Sequence, residues 1–139
     1  MASRPAKPAR PLSPHLTIWK WGPHMTVSIL HRMCGVGMAL VGVPLFLWWL
    51  VAAAAGPVAY AGFVDTFTYA DGSLNVLGYL FGIGLTAALF QHMMTGLRHF
   101  VLDTGAGYEL RTNKTFAVLT MVASLTLTIV FWAYILGGK

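Results

Sequence analysis

The stretch QHMMTGLRHFVLD (residues 91–103) sets His92, Gly96, His99 and Asp103 at i, i+4, i+7 and i+11. At about 100° per residue these positions fall within roughly 60° of one another on a helix, so they form one stripe. A neutral imidazole nitrogen ligates metal ions and carries protons. A glycine between two histidines removes side-chain bulk where a flat ligand would approach. A second stretch, SILHRMCG (residues 28–35), holds Ser28, His31, Arg32 and Gly35. A hydroxyl donor and a fixed cation are the groups that stabilise negative charge developing on an oxygen. The guanidinium fork also pairs with carboxylates.

The elements that must position these groups are membrane helices. Of the 139 residues, 57% are hydrophobic and 9% charged, against roughly 25% charged in soluble domains. No Asp, Glu, Lys or Arg occurs at 33–64, 72–97 or 115–138, and each gap exceeds the roughly 20 residues that span hydrocarbon as a helix. The expected class is an all-α membrane protein with three transmembrane helices, at about 25–55, 74–103 and 113–136. They make up a domain over 25–139 behind an N-terminal surface segment at 1–24. Within that segment, Pro14 and Pro23 break any helix, and Trp19 and Trp21 suit the headgroup layer. All Lys and Arg except Lys139 precede the first span or flank the turn after the second, whereas the first connection carries Asp65 and Asp71. That asymmetry puts the N-terminus on the cytoplasmic or matrix side. The net charge of +5 is a topology signal and calls for no nucleic-acid partner. Cys34 is the sole cysteine, which excludes a disulfide framework, a Cys-rich zinc site or iron–sulfur ligation within the chain. MASRPAKPAR is basic and acid-free but short for a transit peptide. The expected location is therefore a bacterial inner membrane, with the mitochondrial inner membrane as the alternative.

Placed on these helices, His92 lies about 10 Å deeper than His99, while Arg32 and His31 stand about one turn outside the hydrocarbon. An ionisable residue at the depth of His92 is a functional candidate. A buried imidazole beside a glycine, with Arg32, Arg98 and His31 nearer the surface to meet acidic propionates, suits a haem. Hydrogen bonding of His92 to a neighbouring helix explains the same position, and depth and spacing do not choose between the two. Ser28, Gly35, Ala39 and Gly42 form a small-residue stripe on helix one, fit either for close helix packing or for a flat cofactor. A second axial histidine at the depth of His92 is missing from the chain and has to come from another one.

The three stretches RPLSPHLTIW (10–19), SILHRMCG (28–35) and HMMTGLRHFVLD (92–103) together resemble the cytochrome b subunit of succinate dehydrogenase, the larger membrane anchor of complex II. The match covers the N-terminal segment, two of three helices and the overall length. It departs from the family at Cys34, commonly Thr or Ser, and at Trp19, commonly Tyr. The resemblance implies a three-helix bundle completed by a second anchor subunit, on which a flavoprotein subunit and an iron–sulfur subunit sit. It further implies electron transport from succinate through the soluble subunits to ubiquinone, with this chain catalysing nothing alone. His92 then matches the axial ligand of a haem b shared with the second anchor. His31 and Arg32 match positions near the propionates, and Ser28 and Arg32 match the ubiquinone pocket. Arg98, His99 and Asp103 match the end of the motif, at the haem edge. Two alternatives remain beside this expectation: a haem-free structural anchor, and the quinol-oxidising anchor of a fumarate reductase.

Overall fold

Proline fixes φ and lacks the N–H that a first helical turn leaves unpaired in any case, and Pro23 opens the first helix, α1 (Pro23–Gly37). The computed structural model describes residues 19–138. Residues 1–18, which carry His15 and most of the expected surface segment, lie outside the described residues. The first span continues without a break in helical path to Ala55, but it is not one α-helix. A π-turn over Met38–Gly42 separates α1 from α2 (Val43–Ala55). The cause is Pro44: it cannot donate to the carbonyl four residues back, and its ring crowds that carbonyl. The wider turn relieves the clash, with the Val43 N–H reaching the Met38 oxygen.

Gly56, at φ 106°, turns the chain where an L side chain would be strained, and Pro57 opens α3 (Pro57–Phe67). The sequence reading treated this stretch as a plain connection. The helix exists because it has aromatic partners: Phe63 packs edge-on against Trp48 of α2 at 4.9 Å, and Phe67 lies 6.1 Å from Phe81. Asn75 then caps α4 (Val76–Asp103), accepting from the Gly78 N–H and donating to the Thr66 carbonyl, each at 2.9 Å. Helix α5 (Leu110–Gly137) begins three residues ahead of Asn113. Among the described residues there is no strand, only an isolated bridge between Thr68 and Leu74.

Three helical stretches are long and apolar enough to cross a membrane: Pro23–Ala55, Val76–Asp103 and Leu110–Gly137. α4 packs against both α1 and α5, and α1 also meets α5. The interior is small and partly polar. Val27, Thr95 and Ala117 are sealed from the surface, and Gln91, Thr120, Ser124 and Thr128 are buried with them. The large apolar side chains lie outside, with Leu40 72% and Phe100 70% exposed. A surface of that kind requires lipid or a partner helix to cover it.

Candidate functional site

α1 and α4 bring the two sequence stretches together. His31 of α1 stacks on His92 of α4, with ring centroids 3.9 Å apart and planes 9° from parallel. The His99 ring lies 5.3 Å from His31 on the other side. The His92 Nδ1 is 3.1 Å from the main-chain oxygen of His31. A carbonyl only accepts, so Nδ1 carries the proton of this bond, and Nε2 is the ring nitrogen left for a ligand. Gly35 makes this approach possible: a Cβ there would stand 3.1 Å from the His92 Cε1 and 3.4 Å from Nδ1. At Gly96 a Cβ would meet nothing within 4 Å, so open space adjoins the histidine stripe.

This arrangement corrects one expectation. His31 was placed about one turn outside the hydrocarbon, apart from His92. Instead the antiparallel pairing of α1 and α4 sets its ring between those of His92 and His99. The rise along α4 separates His92 from His99, but a residue on the facing helix can touch both.

Nearer the α4–α5 turn, a cavity of about 410 Å³ is lined by Trp21, His24, Met25, Ser28, Arg98 and His99, among others. Arg98 is only 7% exposed. It donates from Nη2 to the Asn113 side chain of α5, while its Nε is buried without a partner among the described residues. Arg32 is exposed and is not part of that lining. Asp103 is exposed as well. The structure thus gathers His31, His92 and His99 into one ring cluster and joins Ser28 to Arg98 and His99 across a cavity. It leaves Arg32 and Asp103 at the surface of the chain.

Sequence reasoning missed a buried polar group directly behind the histidines. Ser124 of α5 donates to the Gln91 side-chain oxygen at 2.6 Å, and the Gln91 amide donates to Thr95 at 2.9 Å. Such bonds act as glue between membrane helices. The signal was available: Gln91 is an amide inside an apolar span, and Thr120, Ser124 and Thr128 recur every four residues, which puts hydroxyls on one face of α5. His24, at the end of the expected surface segment 1–24, lines the Ser28 cavity as well.

The family described as succinate dehydrogenase/fumarate reductase transmembrane subunit matches residues 6–131. The chain belongs to this family. Among curated relatives, the succinate dehydrogenase cytochrome b556 subunit of Paracoccus denitrificans is 32% identical over 130 residues, covering 90% of this chain and 94% of the relative. The cytochrome b556 subunit of Rickettsia typhi is 32% identical over 123 residues, covering 88% and 90%. The human mitochondrial cytochrome b560 subunit is 29% identical over 122 residues, covering 85% of this chain and 69% of its own length. Membership in the succinate dehydrogenase/fumarate reductase transmembrane subunit family accounts for the apolar exterior, and all the residues of the α1–α4 histidine cluster fall inside the matched range.

Proposed function

We propose that this chain is the cytochrome b membrane anchor of a succinate dehydrogenase, holding haem b jointly with a second anchor subunit and forming part of the ubiquinone-reduction site. The relatives above are all named as succinate dehydrogenase subunits, which favours succinate oxidation over the quinol-oxidising direction that the family description also covers. The observation that carries the haem assignment is the hydrogen bond from His92 Nδ1 to the His31 carbonyl. A metal-ligating histidine commonly donates its other ring N–H to a carbonyl, which fixes the tautomer and aims the free nitrogen.

The residues present fit the group. His92 leaves its Nε2 for a ligand, Gly96 leaves open space beside it, and the His31 Nδ1 is buried without a partner among the described residues, a donor or acceptor that a bound group would satisfy. His92 would hold the haem iron, and His31, His99 and Arg32 would meet the haem edge and its carboxylates. When bound, the haem supplies a one-electron redox couple inside the membrane. The partner anchor would supply the other nitrogen ligand.

Ser28 and Arg32 are proposed for ubiquinone. Reduction puts negative charge on the quinone oxygens, which a hydroxyl donor and a nearby cation stabilise. A flavoprotein subunit and an iron–sulfur subunit on the cytoplasmic face of a bacterial inner membrane deliver the electrons. The N-terminus lies on that same side. This chain binds and orients, and succinate chemistry takes place elsewhere in the complex.

The test is a reduced-minus-oxidised visible spectrum of the purified complex, wild type beside His92→Ala. The expected result is a b-type band in the wild type that is lost or turns high-spin in the variant. A band that survives unchanged removes His92 as ligand, and a wild-type complex without a band leaves a haem-free anchor.

A further inference from the structure

Burying a guanidinium without an anionic partner is costly, because the charge loses its water and gains nothing in exchange. Arg98 is in that position. It is 7% exposed, and among the described residues its one hydrogen bond goes to the neutral side chain of Asn113 and its Nε has no partner. Asp103 and Glu109, the acidic residues nearest in sequence, are exposed. Across the same cavity, the His24 Nδ1 is also buried without a partner among the described residues. Two unsatisfied polar atoms therefore belong to residues lining one 410 Å³ space, together with the Ser28 hydroxyl.

The rest of that lining decides what the space suits. Trp21, Met25, Ile29 and Leu102 are apolar walls, poor surroundings for a phosphate or a permanent carboxylate but good ones for a flat, uncharged ring. A quinone head is neutral on entry and gains negative charge on its oxygens only as it is reduced. We infer that Arg98 is a quinone-binding residue, the buried cation that meets a quinone oxygen in the cavity it shares with Ser28 and His24. This rests on the reading of the Ser28 cavity as the ubiquinone site, and it gives that site a cation other than the exposed Arg32.

The chemistry balances as follows. The quinone takes two electrons from the reduced iron–sulfur partner and two protons from water at the membrane boundary, and its two C=O groups become C–OH. Arg98 contributes fixed positive charge where anionic oxygen appears, and it neither gives nor takes the protons. A preorganised donor of this kind acts more strongly on the reduced, charged form than on the incoming quinone.

The experiment uses the purified complex with a short-tailed ubiquinone, comparing wild type, Arg98→Gln, Arg98→Lys and Ser28→Ala. Quinone kcat and KM are divided by dye-linked succinate oxidation, which reads the soluble subunits, and the b-type band is recorded for each. The expected result for Arg98→Gln is a fall in quinone kcat/KM of about tenfold or more with the b band retained, and a smaller fall for Arg98→Lys. Quinone kinetics unchanged in Arg98→Gln while Ser28→Ala is impaired overturns the role of Arg98 alone. Unchanged kinetics in both variants overturns the reading of the cavity. Loss of the b band in step with quinone activity assigns Arg98 to the haem carboxylates and also overturns the inference. Should Arg98→Gln fail to assemble, Arg98→Lys decides: a raised KM with the band intact supports the assignment, and wild-type kinetics overturn it.

Discussion

His92 donates its Nδ1–H to the main-chain oxygen of His31 over 3.1 Å, so a side chain on α4 is oriented by the backbone of α1. A backbone acceptor cannot be lost by mutating a side chain, and it holds one tautomer whatever residue stands at position 31. What can be altered is the space that admits the ring, and that space is set by Gly35.

Gly35→Ala puts a methyl 3.1 Å from the His92 Cε1, whereas Gly37→Ala, half a turn away on the same helix, meets nothing within 4 Å. Both substitutions gain about 1 kcal/mol of helix propensity, so the difference between them isolates the contact with His92. Gly35→Ala is expected to shift the midpoint potential or lower the haem content of the purified complex, and Gly37→Ala to leave both at wild-type values. Redox titration of the b band checks this, and identical titrations for the two variants would show that the ring has room to give way.

The Gln91–Ser124 bond joins α4 to α5 where both side chains are buried. Ser124→Ala leaves the Gln91 oxygen without its donor in apolar surroundings, and Gln91→Leu removes the need for one. The two changes are therefore expected to be non-additive, with a coupling energy of about 0.6 kcal/mol, the average for interhelical hydrogen bonds in membranes, and at most about 1.7 kcal/mol. A double-mutant cycle on denaturation of the purified complex in detergent measures it, and additivity within about 0.3 kcal/mol would show the bond contributes little.

Charge-free gaps in the sequence sufficed to place three spans, because the bilayer tolerates few ionised side chains and demands a fixed helix length. The histidine stripe on α4 was legible for the same reason: 3.6-residue periodicity is a property of the backbone. What lay beyond reach was the relation between helices. Nothing local says that α1 and α4 register so that His31 falls between His92 and His99, or that Arg98 reaches Asn113 on α5. Two misses were local and avoidable. Pro44 in mid-span signals a distorted turn, and the run from Pro57 to Phe67 behind a Gly–Pro pair has its own helix start.

The junction of α3, its loop and α4 is tight at one glycine. A Cβ on Gly78 would stand 2.3 Å from the Phe67 carbonyl oxygen, a backbone atom that cannot move alone, whereas one on Gly84 would meet nothing within 4 Å. Gly78→Ala is expected to destabilise by about 1–3 kcal/mol through overpacking, and Gly84→Ala to be neutral or slightly stabilising. Thermal inactivation of the detergent-purified complex separates them. Equal midpoints would mean that α3 and α4 part without cost.

The two ends of the bundle differ in charge, and that difference predicts which one faces the cytoplasm. Arg98, Arg111 and Lys114 flank the turn between α4 and α5, while Asp65 and Asp71 lie in α3 and the loop after it, at the opposite end. Basic residues near span ends are retained on the cytoplasmic side, whereas acidic ones contribute little to orientation. With Cys34 replaced by Ala, a single cysteine at Tyr69 or at Thr104, both exposed, reports the side directly through a membrane-impermeant maleimide. Tyr69→Cys is expected to label in intact spheroplasts, and Thr104→Cys only in inverted vesicles. The reverse pattern would place the α4–α5 turn, and with it the Ser28 cavity, on the periplasmic side, where soluble subunits docked on the cytoplasmic face could not deliver electrons to a quinone bound there.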